Sequence, residues 1–263
     1  MITLFLICLP VGCLVGFLAG LFGIGGGLVI VPVLVYLLPL AGVPDSLLMT
    51  TALGTSFATI IVTGASSAYN HYKIGNIRWS SLKVFAPSIM IATYLASLFI
   101  SNLPRELASK IFAALVVYLA AKMVLSVKSK TGDKPLTTQA AIIGGSVIGI
   151  LSSGAGIGGG GFIVPFLNSR GYEMKQAIGS SSFCGMLLAL SGTLSYITSG
   201  WNNANMPEWS LGYVYLPAML GIVATSMFTT KFGAMTATNL PVARLKRYFA
   251  VFLLLIAVKM FIA

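Results

Sequence analysis

Charged residues are scarce in this chain. They make up 8% of its 263 residues, against about 25% in an ordinary soluble domain, whereas 57% of the residues are hydrophobic. This composition excludes a soluble globular protein, a disordered chain and a collagen-like repeat. It predicts a polytopic membrane protein, and since a helical span needs about 20 residues, the length accommodates roughly six to eight spans.

Chemically reactive side chains are also few. There is one histidine, His71, and the three cysteines, Cys8, Cys13 and Cys184, lie in apolar runs without a CxxC pair. An odd number of such thiols predicts packing roles and excludes a disulfide framework. Because the sequence contains no nucleophile–base pair and no metal-spaced cluster, we expect a protein that is not an enzyme and that has no cofactor or metal.

Acidic residues are absent from the centre of every predicted span, which excludes the usual carboxylate proton relay and disfavours cation binding. Lys and Arg outnumber Asp and Glu by 16 to 5, for a net charge of +11. These basic residues lie between hydrophobic runs, which is the topology signal of a membrane protein. The expected partner is therefore the lipid bilayer and not a nucleic acid.

The hydrophobic runs divide the chain into two halves. Six uninterrupted runs are long enough to span a bilayer: 47–69, 80–101, 105–127, 175–199, 210–231 and 243–262. Two more, 3–38 and 137–168, are interrupted by glycine clusters. The charged segment 128–136 is interpreted as a linker between a first transmembrane repeat, 1–127, and a second, 137–263.

A shared motif indicates that the halves are repeats. Residues 23–32 (GIGGGLVIVP) match residues 156–165 (GIGGGGFIVP), 133 positions later, and residues 52–56 (ALGTS) match residues 177–181 (AIGSS). Glycines four residues apart precede both motifs, a spacing that lets membrane helices approach closely. Two further pairs extend the alignment: Trp79 with Trp209, and Pro87 with Pro217.

The distribution of basic residues favours inverted repeats. If each glycine-broken run enters the membrane and returns, each half crosses three times, and Lys and Arg divide 13 to 3 between the two sides. If each broken run crosses once, the division is 8 to 8. Cytoplasmic loops are rich in Lys and Arg. We therefore predict an all-α polytopic protein of the cytoplasmic membrane, built from two inverted-topology repeats. Each repeat has a glycine-broken re-entrant helix pair plus three transmembrane helices, with the linker in the cytoplasm and both termini outside.

The glycine clusters are the first candidate site. Each precedes a resumed apolar run and is therefore predicted to begin a short helix, whose free N–H groups and about +0.5 charge attract anions. Paired broken helices mark the substrate site in several transporter folds. The alternative is that the glycines only permit a tight hairpin and close packing. The candidate residues are Gly25, Gly26, Gly27, Gly158, Gly159 and Gly160.

Hydroxyl groups are the second candidate. Thr55 and Ser56 lie about 12–14 Å into their span, near the midplane of the bilayer, and Ser180 and Ser181 occupy the matching place in the second half. They either donate to a bound oxyanion or bond to helix carbonyls and join helices. Since two helix starts supply about +1 in total, the site suits a monoanion better than a dianion.

Two GIGGG-x-x-x-VP elements in a chain of eight hydrophobic runs resemble the TauE/SafE family, the sulfite exporter or toluenesulfonate uptake permease family. One departure is Gly161, where the first half has Leu28. The resemblance implies a secondary transporter of sulfur-containing anions: sulfite, sulfoacetate, other organosulfonates and thiosulfate. It leaves open the direction of transport, coupling to protons and homo-oligomer formation. The alternative function is an anion channel with a continuous pore at the pseudo-twofold axis.

Overall fold

The structure is a computed structural model, which describes residues 2–22, 26–125, 135–239 and 242–262. Gly25 and nearly all of the linker 128–136 lie outside the described residues. Within them the chain forms α-helices, one two-stranded sheet and two short 3-10 helices, Leu38–Ala41 and Asp45–Leu47. The first-half helices are α1 (Ile2–Phe22), α2 (Gly27–Leu37), α3 (Leu48–Lys73), α4 (Trp79–Ile100) and α5 (Arg105–Leu125). The second-half helices are α6 (Thr138–Ala155), α7 (Gly160–Ser169), α8 (Met174–Gly200), α9 (Leu216–Asn239) and α10 (Val242–Ile262).

The apolar helices are those of a multi-pass membrane protein. Within the described residues, four helical segments are long and apolar enough to cross a bilayer: Asp45–Lys73, Leu82–Ile100, Thr138–Ala155 and Met174–Gly200. Shorter apolar helical stretches lie in α1, α2, α9 and α10. Helices occupy all six predicted uninterrupted runs, and both broken runs divide into a longer and a shorter helix.

One predicted boundary is wrong. The run 210–231 was expected to be a single span, but α9 begins only at Leu216. The six residues before it form an antiparallel hairpin of β1 (Ser210–Leu211) and β2 (Val214–Tyr215). The turn glycine, Gly212, has a φ of +57°, a conformation that glycine adopts at no steric cost.

The tryptophan and proline pairs are not structurally equivalent. Trp79 begins α4, whereas Trp209 lies in the loop before β1. Pro87 is inside α4, whereas Pro217 is the second residue of α9. The inserted hairpin moves the start of α9 further along the sequence. The alignment of the two halves by single matching residues is therefore wrong in this region.

The glycine clusters break the helices as predicted. Gly26 caps the N-terminus of α2 with a φ of +77°, and Gly159 caps that of α7 with a φ of +73°. Residues with a side chain rarely adopt this left-handed conformation. After each break the chain turns back: Gly26 faces Val15 of α1, and the Phe166 ring of α7 covers Gly144 of α6. Each broken run is therefore a helical hairpin.

The two halves pack through matching helices. Helix α1 of the first half packs on α9 of the second, and α6 of the second packs on α4 of the first. The central pair is α3 with α8, and α5 packs on α10. If each helix is exchanged for its counterpart in the other half, these four pairs are reproduced, so the arrangement has a pseudo-twofold relationship.

The residue pairs in contact give the helix directions. Gly12 faces Ile222 and Gly16 faces Ser226, so α1 and α9 run parallel. A Cβ atom at either glycine would overlap backbone atoms of α9, which confirms that this glycine spacing permits close helix approach.

The central helices run in opposite directions. Phe57 of α3 covers Gly192 of α8, whereas Ser67 contacts Ser182, with 2.9 Å between the hydroxyl oxygens. Since the first contact lies late in α8 and the second early, α3 and its counterpart α8 are antiparallel.

Candidate anion site at the glycine loops

The two glycine loops meet at the interface between the halves. A Cβ atom at Gly27, the first residue of α2, would overlap the carbonyl oxygen of Gly156, which ends α6. The same Cβ would lie 3.0 Å from the Cα atom of Ile157. The N-terminus of α2 is thus in direct contact with the loop that leads into α7, and only glycine permits this approach.

The meeting point lies at the middle of α3. Gly158 faces Ile60, since a Cβ atom at Gly158 would lie 2.7 Å from the Cγ2 atom of Ile60. Helix α3 has 26 residues and is about 39 Å long, with Ile60 near its midpoint. On the other side, the Gly158 carbonyl approaches Gly185 of α8 so closely that a Cβ atom there would overlap it.

Ser56 is the predicted hydroxyl that contacts a glycine loop. Its Oγ donates a hydrogen bond of 2.8 Å to the carbonyl oxygen of Gly156. This bond joins α3 of the first half to the loop of the second half. The structure therefore brings together Gly27, Ser56 and Gly158 from the predicted set, with Gly159 and Gly160 following directly along the chain.

The other three predicted hydroxyls are buried, but their described contacts lie elsewhere. The Oγ1 of Thr55 accepts a hydrogen bond of 3.0 Å from the backbone N–H of Tyr215, and the Oγ of Ser180 accepts one of 3.2 Å from that of Arg78. Ser181, the repeat counterpart of Ser56, is 2% exposed. Its Oγ has no hydrogen-bond partner within the described part of the chain.

The described interior is a hydrophobic core that contains polar but uncharged side chains. Its buried polar side chains are serines, threonines and Asn168. Among the described residues, an ion pair joins Arg105 to Asp45, and the Asp45 side chain is 77% exposed. The first backbone N–H groups of α2 and α7 have no acceptor within their own helices, as at any helix start. The described neighbours of these helix starts are uncharged: apolar side chains such as Val15, Ile60 and Leu188, and the backbone of Gly156 and Ile157.

Sequence reasoning missed the role of two glycines beside these hydroxyls. A Cβ atom at Gly54 would lie 2.8 Å from the carbonyl oxygen of Tyr213, and one at Gly179 would lie 2.6 Å from that of Asn76. The repetition of these glycines in the triplets Gly-Thr-Ser and Gly-Ser-Ser is the sequence feature that could have indicated the close approaches. The approaching segments lie 159 and 103 residues away along the chain, so the tertiary fold determines which segments they are.

The chain matches one known protein family over nearly its whole length. The profile described as "Sulfite exporter TauE/SafE" matches residues 8–260. The chain belongs to the TauE/SafE family. The match includes both glycine loops, both hairpins and the α3–α8 pair, so the described site lies wholly within the TauE/SafE region. No solved structure was found to match the chain.

Relatives of this TauE/SafE chain carry the name of transporters. A "Probable membrane transporter protein" of Haemophilus influenzae is 62% identical over the full length of both chains. A protein of the same description from Methanocaldococcus jannaschii is 31% identical over 87% of this chain and 86% of its own. A third, from Bacillus subtilis, is 30% identical over 76% of this chain and 80% of its own. These relationships support membrane transport.

Proposed function

We propose that this TauE/SafE protein is a secondary transporter of small sulfur-containing anions. The substrates are sulfite, sulfoacetate, other organosulfonates and thiosulfate. The observation that carries the proposal is the contact of Gly27 with Gly156, which joins the start of α2 to the loop leading into α7. The family description, sulfite exporter, supplies the expectation of sulfur. Ser56 fixes the loop from α3, and the amide groups of the first turns of α2 and α7 would face the oxyanion.

Inverted topology is the second part of the proposal. It is supported by the antiparallel direction of the counterparts α3 and α8, and by the return of the chain at each glycine break. Helices related by a twofold axis in the membrane plane have opposite directions, as in other transporters with inverted repeats. The 13 to 3 division of basic residues supports a cytoplasmic position for residues 128–136 and an outside position for both termini.

The charge of the site sets the substrate preference. Two helix N-termini supply about +1, and the described interior adds neutral hydroxyl groups without a buried Lys or Arg. A monoanion would be neutralised by this field, whereas a dianion would keep an unpaired charge in a medium of low dielectric constant, at a high desolvation cost. The site should therefore hold hydrogen sulfite or a singly charged sulfonate in preference to sulfate.

A competition experiment tests this preference. Purified protein in proteoliposomes is supplied with labelled sulfite, and unlabelled methanesulfonate, a monoanion, and sulfate, a dianion, are titrated separately as competitors. We expect methanesulfonate to inhibit at concentrations at least about tenfold lower than sulfate, a factor that corresponds to 1.4 kcal/mol. Equal inhibition by the two competitors would contradict a site of single positive charge.

The rate of turnover distinguishes a carrier from a channel. A carrier must change conformation in every cycle, and such motions take microseconds to seconds. We expect flux that saturates with sulfite concentration and no unitary currents in planar bilayers. Unitary anion currents with unsaturated flux would favour the channel with a pore at the pseudo-twofold axis.

A further inference from the structure

A segment before α9 is held by three backbone contacts, two with α3 and one with α8. The carbonyl oxygen of Tyr213 packs on Gly54, where a Cβ atom would lie only 2.8 Å away. The N–H of Tyr215 donates to the Oγ1 of Thr55, and the N–H of Tyr213 donates to the carbonyl oxygen of Tyr196, at 3.1 Å. Residues 213–215, here the outer segment, therefore bridge α3 and α8.

The segment before α4 repeats these three contacts in the other half. The carbonyl oxygen of Asn76 packs on Gly179, where a Cβ atom would lie 2.6 Å away. The N–H of Arg78 donates to the Oγ of Ser180, and the N–H of Asn76 donates to the carbonyl oxygen of His71, at 3.0 Å. Residues 76–78, here the inner segment, thus bridge α8 and α3 in the same way.

The two segments lie toward opposite ends of the central helix pair. Because α3 and α8 are antiparallel and Ser67 faces Ser182, Ser180 lies beside the last turns of α3. That position is about 14 residues, or ~21 Å, from Thr55. The glycine loops contact α3 at Ile60, between the two ends. One segment therefore covers the central helices on each side of the candidate site.

We propose that the outer and inner segments are the two gates of the transport cycle, and that Thr55 and Ser180 are positioning residues that latch them. This inference rests on the proposed carrier function. Each gate donates one backbone hydrogen bond to a side-chain hydroxyl of the other half, and the Arg78 guanidinium of the inner segment also lies 5.1 Å from the centre of the Tyr172 ring. A single neutral hydrogen bond is weak enough in net terms to break and re-form. Rocking of one half against the other would separate one segment from its helix while the other stays closed.

The arrangement also separates the roles of the residues in the two triplets. In both, the glycine admits the segment carbonyl and the second residue accepts the segment N–H. In the first triplet the third residue, Ser56, bonds to Gly156 of the glycine loop. Release of a gate and contact with the loop are thus one residue apart on the same helix. This proximity would couple gate position to the state of the candidate site.

Thiol accessibility provides a test that needs no substrate. Cys184 is fully buried in α8, one turn beyond Ser180, and its counterpart by the repeat is Thr59, fully buried one turn beyond Thr55. In the full-length protein without its other cysteines, one form keeps Cys184 and a second carries Thr59→Cys with Cys184→Ala. Each is labelled with a membrane-impermeant thiol reagent from either side of sealed vesicles.

The expected result is selective for one side. Ser180→Ala raises the labelling rate of Cys184 about fivefold, the factor that one net hydrogen bond is worth, from the side of the inner segment only. Thr55→Val raises labelling of the thiol at position 59 by a similar factor, from the opposite side only. Thr193→Val and Thr63→Val are matched controls with no expected effect, because these hydroxyls bond to carbonyls of their own helices.

Two conservative variants guard against a general loss of structure. Thr55→Ser and Ser180→Thr keep the acceptor oxygen and should keep the low labelling of the parent protein. Unchanged labelling in Thr55→Val and Ser180→Ala, or an equal rise from both sides, would overturn the gate assignment. The assay contains no substrate, so it tests the gates independently of the proposed function. Sulfite flux with unchanged labelling would refute the gate assignment and leave the proposed substrate intact. Selective labelling without any sulfite flux would refute the proposed substrate and leave the gate assignment intact.

Discussion

Gly27→Ala is expected to reduce sulfite flux at least about tenfold while the protein still inserts and folds. The new Cβ atom would overlap the carbonyl oxygen of Gly156 and would lie 3.0 Å from the Cα atom of Ile157. These are backbone atoms, which cannot rotate away as a flexible side chain does. Overpacking of this kind costs about 1–3 kcal/mol, and 1.4 kcal/mol is a factor of ten. The loops would separate, and the site between them would be lost.

Gly64→Ala is the matched control for this variant. Gly64, in α3, also lies at the interface between the halves, but its Cβ atom would lie 3.4 Å from Met186, an ordinary van der Waals contact. Alanine is the better helix former by about 1 kcal/mol, so flux and thermal stability should stay near those of the parent protein. Full flux in Gly27→Ala, with folding verified by size-exclusion chromatography in detergent, would show that transport does not need the contact of the loops.

Gly26→Val and Gly159→Val should each abolish flux. Both glycines cap a half-helix with a φ above +70°, and the left-handed conformation costs an ordinary residue about 1–2 kcal/mol and is a genuine outlier for a β-branched one. A valine would rotate the first peptide groups of α2 or α7 out of their present direction. The N–H groups proposed to face the anion would then point elsewhere. Flux into proteoliposomes, normalised to inserted protein, measures the loss.

Gly42→Val is a control that distinguishes the effect of backbone strain from the effect of losing the candidate anion site. Gly42 also has a positive φ, +81°, but it lies between α2 and α3, with nothing within 4 Å of its Cβ position. We expect this variant to lose stability and to retain flux per folded molecule. Near-normal flux in both Gly26→Val and Gly159→Val would mean that the anion binds elsewhere in the protein.

The helices and their breaks could be predicted because both depend on local chemistry. Apolar runs of sufficient length predict spans, and glycine at a helix start reflects a backbone conformation that only glycine adopts easily. Gly26 and Gly159 therefore appear in the structure as expected. The contact between the two loops follows less directly, since it needs the halves to be related by their pseudo-twofold packing.

The errors come from long-range structure. The hairpin at Ser210–Tyr215 is as apolar as the helix that follows, so hydrophobicity alone assigned it to the span. Single-residue resemblance then paired Trp79 with Trp209, although the inserted hairpin moves α9 out of that register. The partners of Thr55 and Ser180 could not be predicted either, because they are backbone groups 160 and 102 residues away.

The most direct test of the central claim is the uptake of radiolabelled sulfite into proteoliposomes, with and without an imposed pH gradient. Unlabelled methanesulfonate, sulfoacetate, thiosulfate and sulfate serve as competitors, and Gly27→Ala protein serves as the low-flux control. We predict saturable uptake that the monoanion methanesulfonate reduces strongly and the dianion sulfate weakly, and that is at least about tenfold lower in the variant. A response to the pH gradient would identify protons as the coupling ion. Uptake by folded parent protein that does not exceed protein-free vesicles would contradict a sulfur-anion carrier.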